Sequence, residues 1–362
     1  MAEGAGLENR YTGNGIVGSN PTLSAPLDDP MTLTAGDRAA GCLLGLALGD
    51  ALGFVVEAAP PAEAAAYVEN ELRKGLGARA RPPFLPGQYS DDTQLARELL
   101  LSIRDAGDFD PTAFARRLVG LFAGGRVVGA GPGSRSAAER LQAGVRWDEA
   151  GTPPPYAGNG AAMRAGPLGV LYARDPLRLA AVVRDQALVT HRDSRSVAGA
   201  VAIAGAVALA GTPGPLVARE VLEQLCEWVL PFDRSVGEAV GSVAGWLAAG
   251  PAEAGRGVAA LAEPGRGTSA GVSPFVTPGV AWSLYAFLRS PDDYWETLCT
   301  AIAIGGDTDT LAAMAGAMGG ARLGPVGLPA PIVEQLSDAG AWGASELAQL
   351  ARECAALPLA AG

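Results

Sequence analysis

The chain has 362 residues, a hydrophobic fraction of 49%, only 6% aromatics and a formal charge of −11 with no basic block. That length allows one large domain or two ordinary ones, and the acidic balance without clustered Lys or Arg disfavours nucleic acid or an anionic membrane surface as partner. The Ala-rich composition, short of Val, Ile, Thr and Tyr runs, favours helices over strands.

Residues 1–30 mix Gly, Asn, Ser and Pro without periodicity and lack the basic start and apolar centre of a signal peptide. They are expected to be a disordered extension, with Met31 as the native start and one domain over 31–362. A helix is predicted from Ala35, with Thr34 and Asp37 as its start signal, and AAGCLLGLALGDALGFVVE carries it to Glu57. Its many Gly and Ala residues imply close packing at the centre of the fold. A second helix over 62–74 precedes RARPPFLPGQY (79–89), which is too rich in proline for regular structure. Ser90-Asp91-Asp92-Thr93-Gln94 then opens the helical run LARELLLSIRDA. Further helices are predicted at 111–123, 134–146, 161–172, 175–190, 194–210, 215–229, 235–248, 277–288, 292–302, 308–323 and 345–356, and 250–273 reads as one long loop suited to a flap. No fixed period recurs, which argues against a solenoid. No stretch reaches the roughly 18 apolar residues needed to cross a membrane. Cys42, Cys226, Cys299 and Cys354 lie far apart in apolar contexts, as core thiols of a reducing cytoplasm rather than a disulfide frame or zinc site.

Two acidic clusters stand out, each at the mouth of an apolar helix. Gly305-Gly306-Asp307-Thr308-Asp309-Thr310 precedes LAAMAGAMGGA, and on a regular helix Asp307 and Asp309 would point to different sides. The two glycines allow an irregular helix start through which the carboxylates can converge, and converging carboxylates need a cation between them. N-capping is the simpler account of the same residues. The second cluster, Ser90 to Thr93, changes the balance, because two hydroxyl-flanked carboxylate groups far apart in sequence suit a two-cation oxygen site for Mg²⁺ or Mn²⁺.

The ordered motifs GCLLGLALGDALGFVVE (41–57), YSDDTQLA (89–96), GNGAAMRAGPLG (158–169), THRDS (190–194) and IGGDTDTLAAMAGAMGGARLG (304–324) resemble the ADP-ribosylglycohydrolase family over nearly the whole chain from Gly41. The resemblance implies an all-α fold, a single many-helix domain with a central cleft holding two Mg²⁺ or Mn²⁺ ions, and hydrolysis of the bond joining ADP-ribose to an acceptor. By position, Ser90, Asp91 and Asp92 would bind one ion, Asp307 and Thr310 the other, and Asp309 would bridge; Ser90 stands where relatives often carry Thr. Glu57 and Asp92 are the implied catalytic carboxylates, although Glu57 also reads as a charge at a helix end. Asp50 fits a buried structural role or a supporting one behind the metal ligands.

For the substrate, the loop Gly129-Ala130-Gly131-Pro132-Gly133-Ser134 can offer backbone amides to a diphosphate, with Gly129, Gly131 and Ser134 as its named contacts, though a bare glycine turn does the same work in capping a helix. Gly158, Asn159 and Gly160 open another predicted helix, and His191, the only histidine, matches a family position lining the ADP-ribose pocket. The partner implied is an ADP-ribosylated protein or small derivative, met by a monomer. Rival readings fit less well. Gly267-Thr268-Ser269-Ala270-Gly271 matches the G-x-S-x-G pattern of serine hydrolases, but no strand precedes it and no histidine follows it. A helical isoprenoid synthase would want a third acid where Leu95 stands. A non-catalytic relative of the same fold is the alternative from another class.

Overall fold

The Thr34 hydroxyl accepts from the Asp37 amide at 3.1 Å while the Asp37 carboxylate reaches back to the Thr34 amide. This capping box starts helix α1 (Ala35–Phe54) at the predicted place. The computed structural model describes residues 33–75, 79–262 and 271–359. The expected extension over 1–30, the start at Met31 and Thr268-Ser269 of the G-x-S-x-G stretch therefore lie outside the described residues. After α1 come α2 (Pro61–Tyr67), continued by a π-helical turn over Val68–Leu72, then α3 (Asp91–Ala106), α4 (Pro111–Ala123), α5 (Pro132–Gln142), the short α6 (Trp147–Ala150), α7 (Gly166–Leu171), α8 (Pro176–Leu188) and α9 (Ser194–Ala210). The second half holds α10 (Ala218–Val229), α11 (Arg234–Ala249), α12 (Pro251–Ala260), α13 (Val276–Arg289), α14 (Tyr294–Ala303), α15 (Thr308–Leu323), a 3-10 turn at Pro325–Gly327, α16 (Ala330–Val333) and α17 (Ala344–Ala355). Among the described residues there are no β-strands, only isolated bridges between loops.

Two expectations are corrected. The helix predicted over 161–172 begins only at Gly166, because Pro167 is accommodated in a first helical turn but not inside a continuing helix; residues before it run as buried turns. The loop predicted over 250–273 contains α12, started by Pro251 and held down by Ala254 and Val258, buried one helical turn apart. The Ala and Gly residues around them mask that short apolar stripe.

Helix α1 is buried on every side from Ala39 to Phe54, as a helix at the centre of a bundle must be. Gly41, Gly45, Gly49 and Gly53 turn one bare edge toward α15. A Cβ added at Gly45 would fall on the Gly316 carbonyl, one at Gly49 on that of Ala312, and one at Gly53 on that of Thr308. Thr308, Ala312, Gly316 and Gly320 repeat the four-residue step in the opposite sense, so the two helices run antiparallel with their backbones touching. Around this pair pack α3, α7 and α17 on the α1 side and α9, α13 and α14 on the α15 side. The end of α1 thus meets the start of α15, beside the start of α3, and both acidic clusters are carried to one place.

Candidate active site

At the mouth of α15, Gly305 and Gly306 adopt φ of 75° and 86°, the left-handed region that glycine enters without steric cost. Asp307 follows with φ −79° and ψ 54°, and although it occupies the N-cap position its side chain makes no capping hydrogen bond. Instead the Asp307 carboxylate accepts from Asn159 Nδ2 at 2.5 Å. Asp309 accepts from the Thr310 amide at 2.8 Å, and the Thr310 hydroxyl donates to Asp92 Oδ2 at 3.3 Å, which ties the two helix mouths together.

At the mouth of α3, Ser90 is the N-cap, and its hydroxyl lies 3.2 Å from Asp92 Oδ2. Asp50, from the buried middle of α1, holds this turn in place. It accepts from the Ser90 amide at 2.8 Å, the Thr93 amide at 3.0 Å and the Thr93 hydroxyl at 2.6 Å. Asp91 Oδ1 also faces Gly129, where a Cβ would lie 3.5 Å from it.

Carboxylate oxygens gather in two groups, Asp50 with Asp92 and Asp309, and Glu57 with Asp307 and Asp309, each within 4.8 Å of one another. Asp309 belongs to both. Asp92 Oδ1 is buried and has no hydrogen-bond partner, a costly state for a carboxylate oxygen unless a cation meets it. An all-oxygen donor set of this kind fits a hard divalent cation. The same crowding shows in the acidities. Burial, then the charges of Asp50, Asp307 and Glu57, raise the Asp91 pKa to about 8, and burial raises Asp307 to about 7 and Asp50 to about 6. Asp92 and Asp309 are held well above the usual carboxylate range, first by burial and then by their acidic neighbours.

These directions fix the sign of a pH effect. Without cations, the folded chain keeps protons on these groups that the unfolded chain has lost, so its stability falls as pH rises from about 4 to about 8. Thermal melts of the metal-free protein are expected to show a Tm that declines across that window and recovers with Mg²⁺ or Mn²⁺. A metal-free Tm that climbs with pH would contradict the crowded cluster.

Glu57 leaves α1 on a short arm. Ala58 adopts φ 65°, and the arm is stitched to the other mouth by Ala58 N to Gly306 O at 2.7 Å and Gly306 N to Ala59 O at 2.9 Å. A second stitch comes from the segment after the undescribed residues 263–270. Val272 exchanges backbone hydrogen bonds with Gly305 and Asp307, while Pro274 O accepts from Asn159 N and Val276 N donates to Ala157 O. The loop of Asp307 and the glycine-rich loop are joined through 272–276.

Of the predicted ligand residues, Ser134, Gly158 and Gly160 come together around His191, whereas Gly129 lies beside Asp91 and Asn159 is bonded to Asp307. The His191 ring stacks with Tyr156 at 5.9 Å between centroids, and the backbone of Gly133, Gly158 and Gly160 approaches so closely that a Cβ at any of them would come within 3.0 Å of a ring atom. Ser134 Oγ lies 3.3 Å from the Cβ position of Gly160. Gly131, by contrast, is the N-cap of α5 and faces open space. Burial and the Arg164 charge lower the His191 pKa to about 3, so the ring is neutral. Thr190 Oγ1 accepts from Arg164 Nη2 and lies 2.8 Å from His191 Nδ1. The arrangement that uses every polar hydrogen has Thr190 donating to Nδ1, which leaves Nε2 as a donor and makes the ring a hydrogen-bonding group rather than a base.

Sequence reasoning missed Arg164, Tyr156 and Val272. Arg164 is fully buried, donates to Gly160 O, Gln186 Oε1, Gln186 O and Thr190 Oγ1, and fixes the loop around the histidine. A charge inside the apolar run AAMRAGPLG was the available signal.

The central antiparallel pair of this helical bundle ends in a shared cluster of carboxylate oxygens that could hold metal ions, flanked by glycine loops. The family model for ADP-ribosylglycohydrolase matches residues 31–361, and the chain belongs to that family. A protein of Archaeoglobus fulgidus is 32% identical over 78% of this chain and 86% of its own length. The ADP-ribosylarginine hydrolase Tri1 of Serratia proteamaculans is 33% identical over 45% of this chain and 44% of its own length, so the match spans under half of that relative. A solved chain described as an ADP-ribosylglycohydrolase-related protein complex superposes with a TM-score of 0.62 at 26% identity, covering 89% of this chain and 98% of that one.

Proposed function

We propose that this protein is a divalent-metal-dependent hydrolase that cleaves the bond between ADP-ribose and an acceptor. The observation that carries the reading is the pair of carboxylate groups sharing Asp309, with the unpartnered Asp92 oxygen inside one of them. Ser90, Asp91, Asp92, Asp307, Asp309 and Thr310 would hold two Mg²⁺ or Mn²⁺ ions, with Asp50 as a further oxygen ligand or as the anchor of the α3 mouth. Bound there, the ions would supply positive charge for the vicinal ribose hydroxyls and make a nearby water more acidic.

The chain's own groups supply the rest. Water adds to the anomeric carbon, its proton passes to Asp92 or Glu57, and the acceptor departs with a proton in exchange. The surrounding carboxylates oppose the positive charge that builds at that carbon as the bond loosens. Amides of the Gly129–Ser134 turn and the Gly158-Asn159-Gly160 turn, with the His191 Nε2–H, would receive the diphosphate and ribose oxygens.

The test is release of ADP-ribose from arginine-linked, serine-linked and O-acetyl substrates, with and without chelator. Release is expected from at least one of them and is expected to stop on chelation. Release that survives chelation would refute the metal dependence, and binding of ADP-ribose without release from any substrate would favour a non-catalytic relative.

A further inference from the structure

Just outside the carboxylate cluster, the Arg81 guanidinium occupies a seat with three walls. Arg81 Nη1 donates to Glu57 Oε2 at 2.5 Å and to the Phe54 carbonyl at 2.8 Å, and its guanidinium carbon lies 4.2 Å from the centroid of the Phe54 ring. A carboxylate edge, a carbonyl and an aromatic face are the complement of a planar, delocalised cation. The walls are firm. Phe54 is buried at the end of α1, its ring packs against Phe84 at 5.5 Å, and a Cβ at Gly129 would lie 3.8 Å from it. Arg81 arrives on a segment anchored further on, where Gly87 O accepts from Ser337 N and Gln88 bonds to Asp338 and Ala339. The Glu57 carboxylate also reaches within 4.8 Å of oxygens of Asp307 and Asp309, so the seat shares a wall with the cation cluster.

We propose that Arg81 fills a guanidinium subsite on the acceptor side of the reaction centre and thereby makes the protein discriminate against guanidine-linked ADP-ribose in favour of O-linked acceptors. The inference rests on the reading above in which Glu57 works at the bond being cleaved. An arginine-linked substrate brings its own guanidinium to Glu57 and meets a residue of like charge already hydrogen-bonded there; it must displace Arg81 or go without the carboxylate. A serine-linked substrate presents an ether-type oxygen that needs neither the seat nor its charge. Arg81 and Glu57 keep 35% and 27% of their side chains exposed, and ion pairs of that kind add little to stability, so removing the arginine opens the seat without unfolding the chain.

The experiment compares the full chain with Arg81→Ala and the double variant Arg81→Ala/Glu57→Gln. Release is measured on arginine-linked and serine-linked ADP-ribosyl peptides, and binding of methylguanidine is followed by ligand-observed NMR. The unaltered chain is expected to favour the serine-linked peptide, and Arg81→Ala to shift the ratio toward the arginine-linked one by about tenfold. Methylguanidine is expected to bind Arg81→Ala saturably, and neither the unaltered chain nor the double variant. A substitution that scales both rates equally overturns the discrimination, as does methylguanidine binding equally well with and without Arg81. Release from neither peptide by the unaltered chain overturns the discrimination, and absence of release from O-acetyl-ADP-ribose as well overturns the hydrolase reading; retained release at an unchanged ratio overturns the discrimination alone.

Discussion

Replacing Asp309 with alanine is expected to abolish both divalent-ion binding and ADP-ribose release while leaving the metal-free protein folded. Asp309 is the member common to both carboxylate groups, so its loss opens both at once. The drop in turnover should exceed the ~10- to 100-fold typical of losing an outer partner of a metal ligand. Folding should survive because burial, then the charge of Asp307, disfavours the ionised form of this side chain and raises its pKa well above the usual carboxylate range, so its removal takes away an unfavourable buried acid. Calorimetric titration with Mn²⁺ and a release assay check the first part, and thermal melts without metal check the second. Saturable Mn²⁺ binding by Asp309→Ala at near-native affinity would sink the shared-ligand arrangement.

The second large effect is structural. Gly49→Ala adds a methyl group where the carbonyl of Ala312 already stands, backbone against backbone, with no flexible side chain to move aside. Alanine in a helix gains up to about 1 kcal/mol over glycine from propensity, so an unobstructed site would be stabilised. Here the clash is expected to win, with a net loss of about 3 kcal/mol or more, beyond the usual range for overpacking because both helices must part. Gly120→Ala on the exposed face of α4, with nothing near its Cβ position, is the matching control and should be stabilising. Urea unfolding of the two variants beside the parent decides it; a Gly49→Ala protein as stable as the parent would mean that the helices are not in backbone contact.

The helices and the acidic mouths were legible because their signals are local. An acid or hydroxyl at the front of an apolar run can be seen in one window, and the Gly305-Gly306 pair signals an irregular start. What Asp307 does with its side chain was not legible, since Asn159, its partner, lies far away in the chain and is aligned by the bridge through Pro274. Asp50 was visible as an acid among apolar residues. Its role depends on Ser90 and Thr93, some forty residues on, which only the packing of α1 on α3 brings near. Val272 acts through its backbone, so no feature of its side chain could have marked it. The misread stretch 161–165 is set between Gly160 and Gly166-Pro167, and 251–260 is rich in Ala and Gly; in such small-residue segments periodicity is weakest and long-range contacts decide the conformation.

The bare seam between α1 and α15 carries a further consequence. Because its repeat is four residues on both helices, sliding one helix along the other by four residues, about 6 Å, would set small residues opposite small residues again. Smooth contact brings the two helices close but leaves their relative position along the axis undetermined. Two polar pins supply the index, Arg38 Nη1 on the Ala321 carbonyl at 3.2 Å and the Thr308 hydroxyl on the Gly53 carbonyl at 2.8 Å, while the Tyr294 hydroxyl of α14 holds the Gly45 carbonyl at 2.8 Å. Glu57 stays within reach of Asp307 and Asp309 only while that index holds, so a residue as remote as Arg38 helps to set the spacing between carboxylates at the far end of the helix.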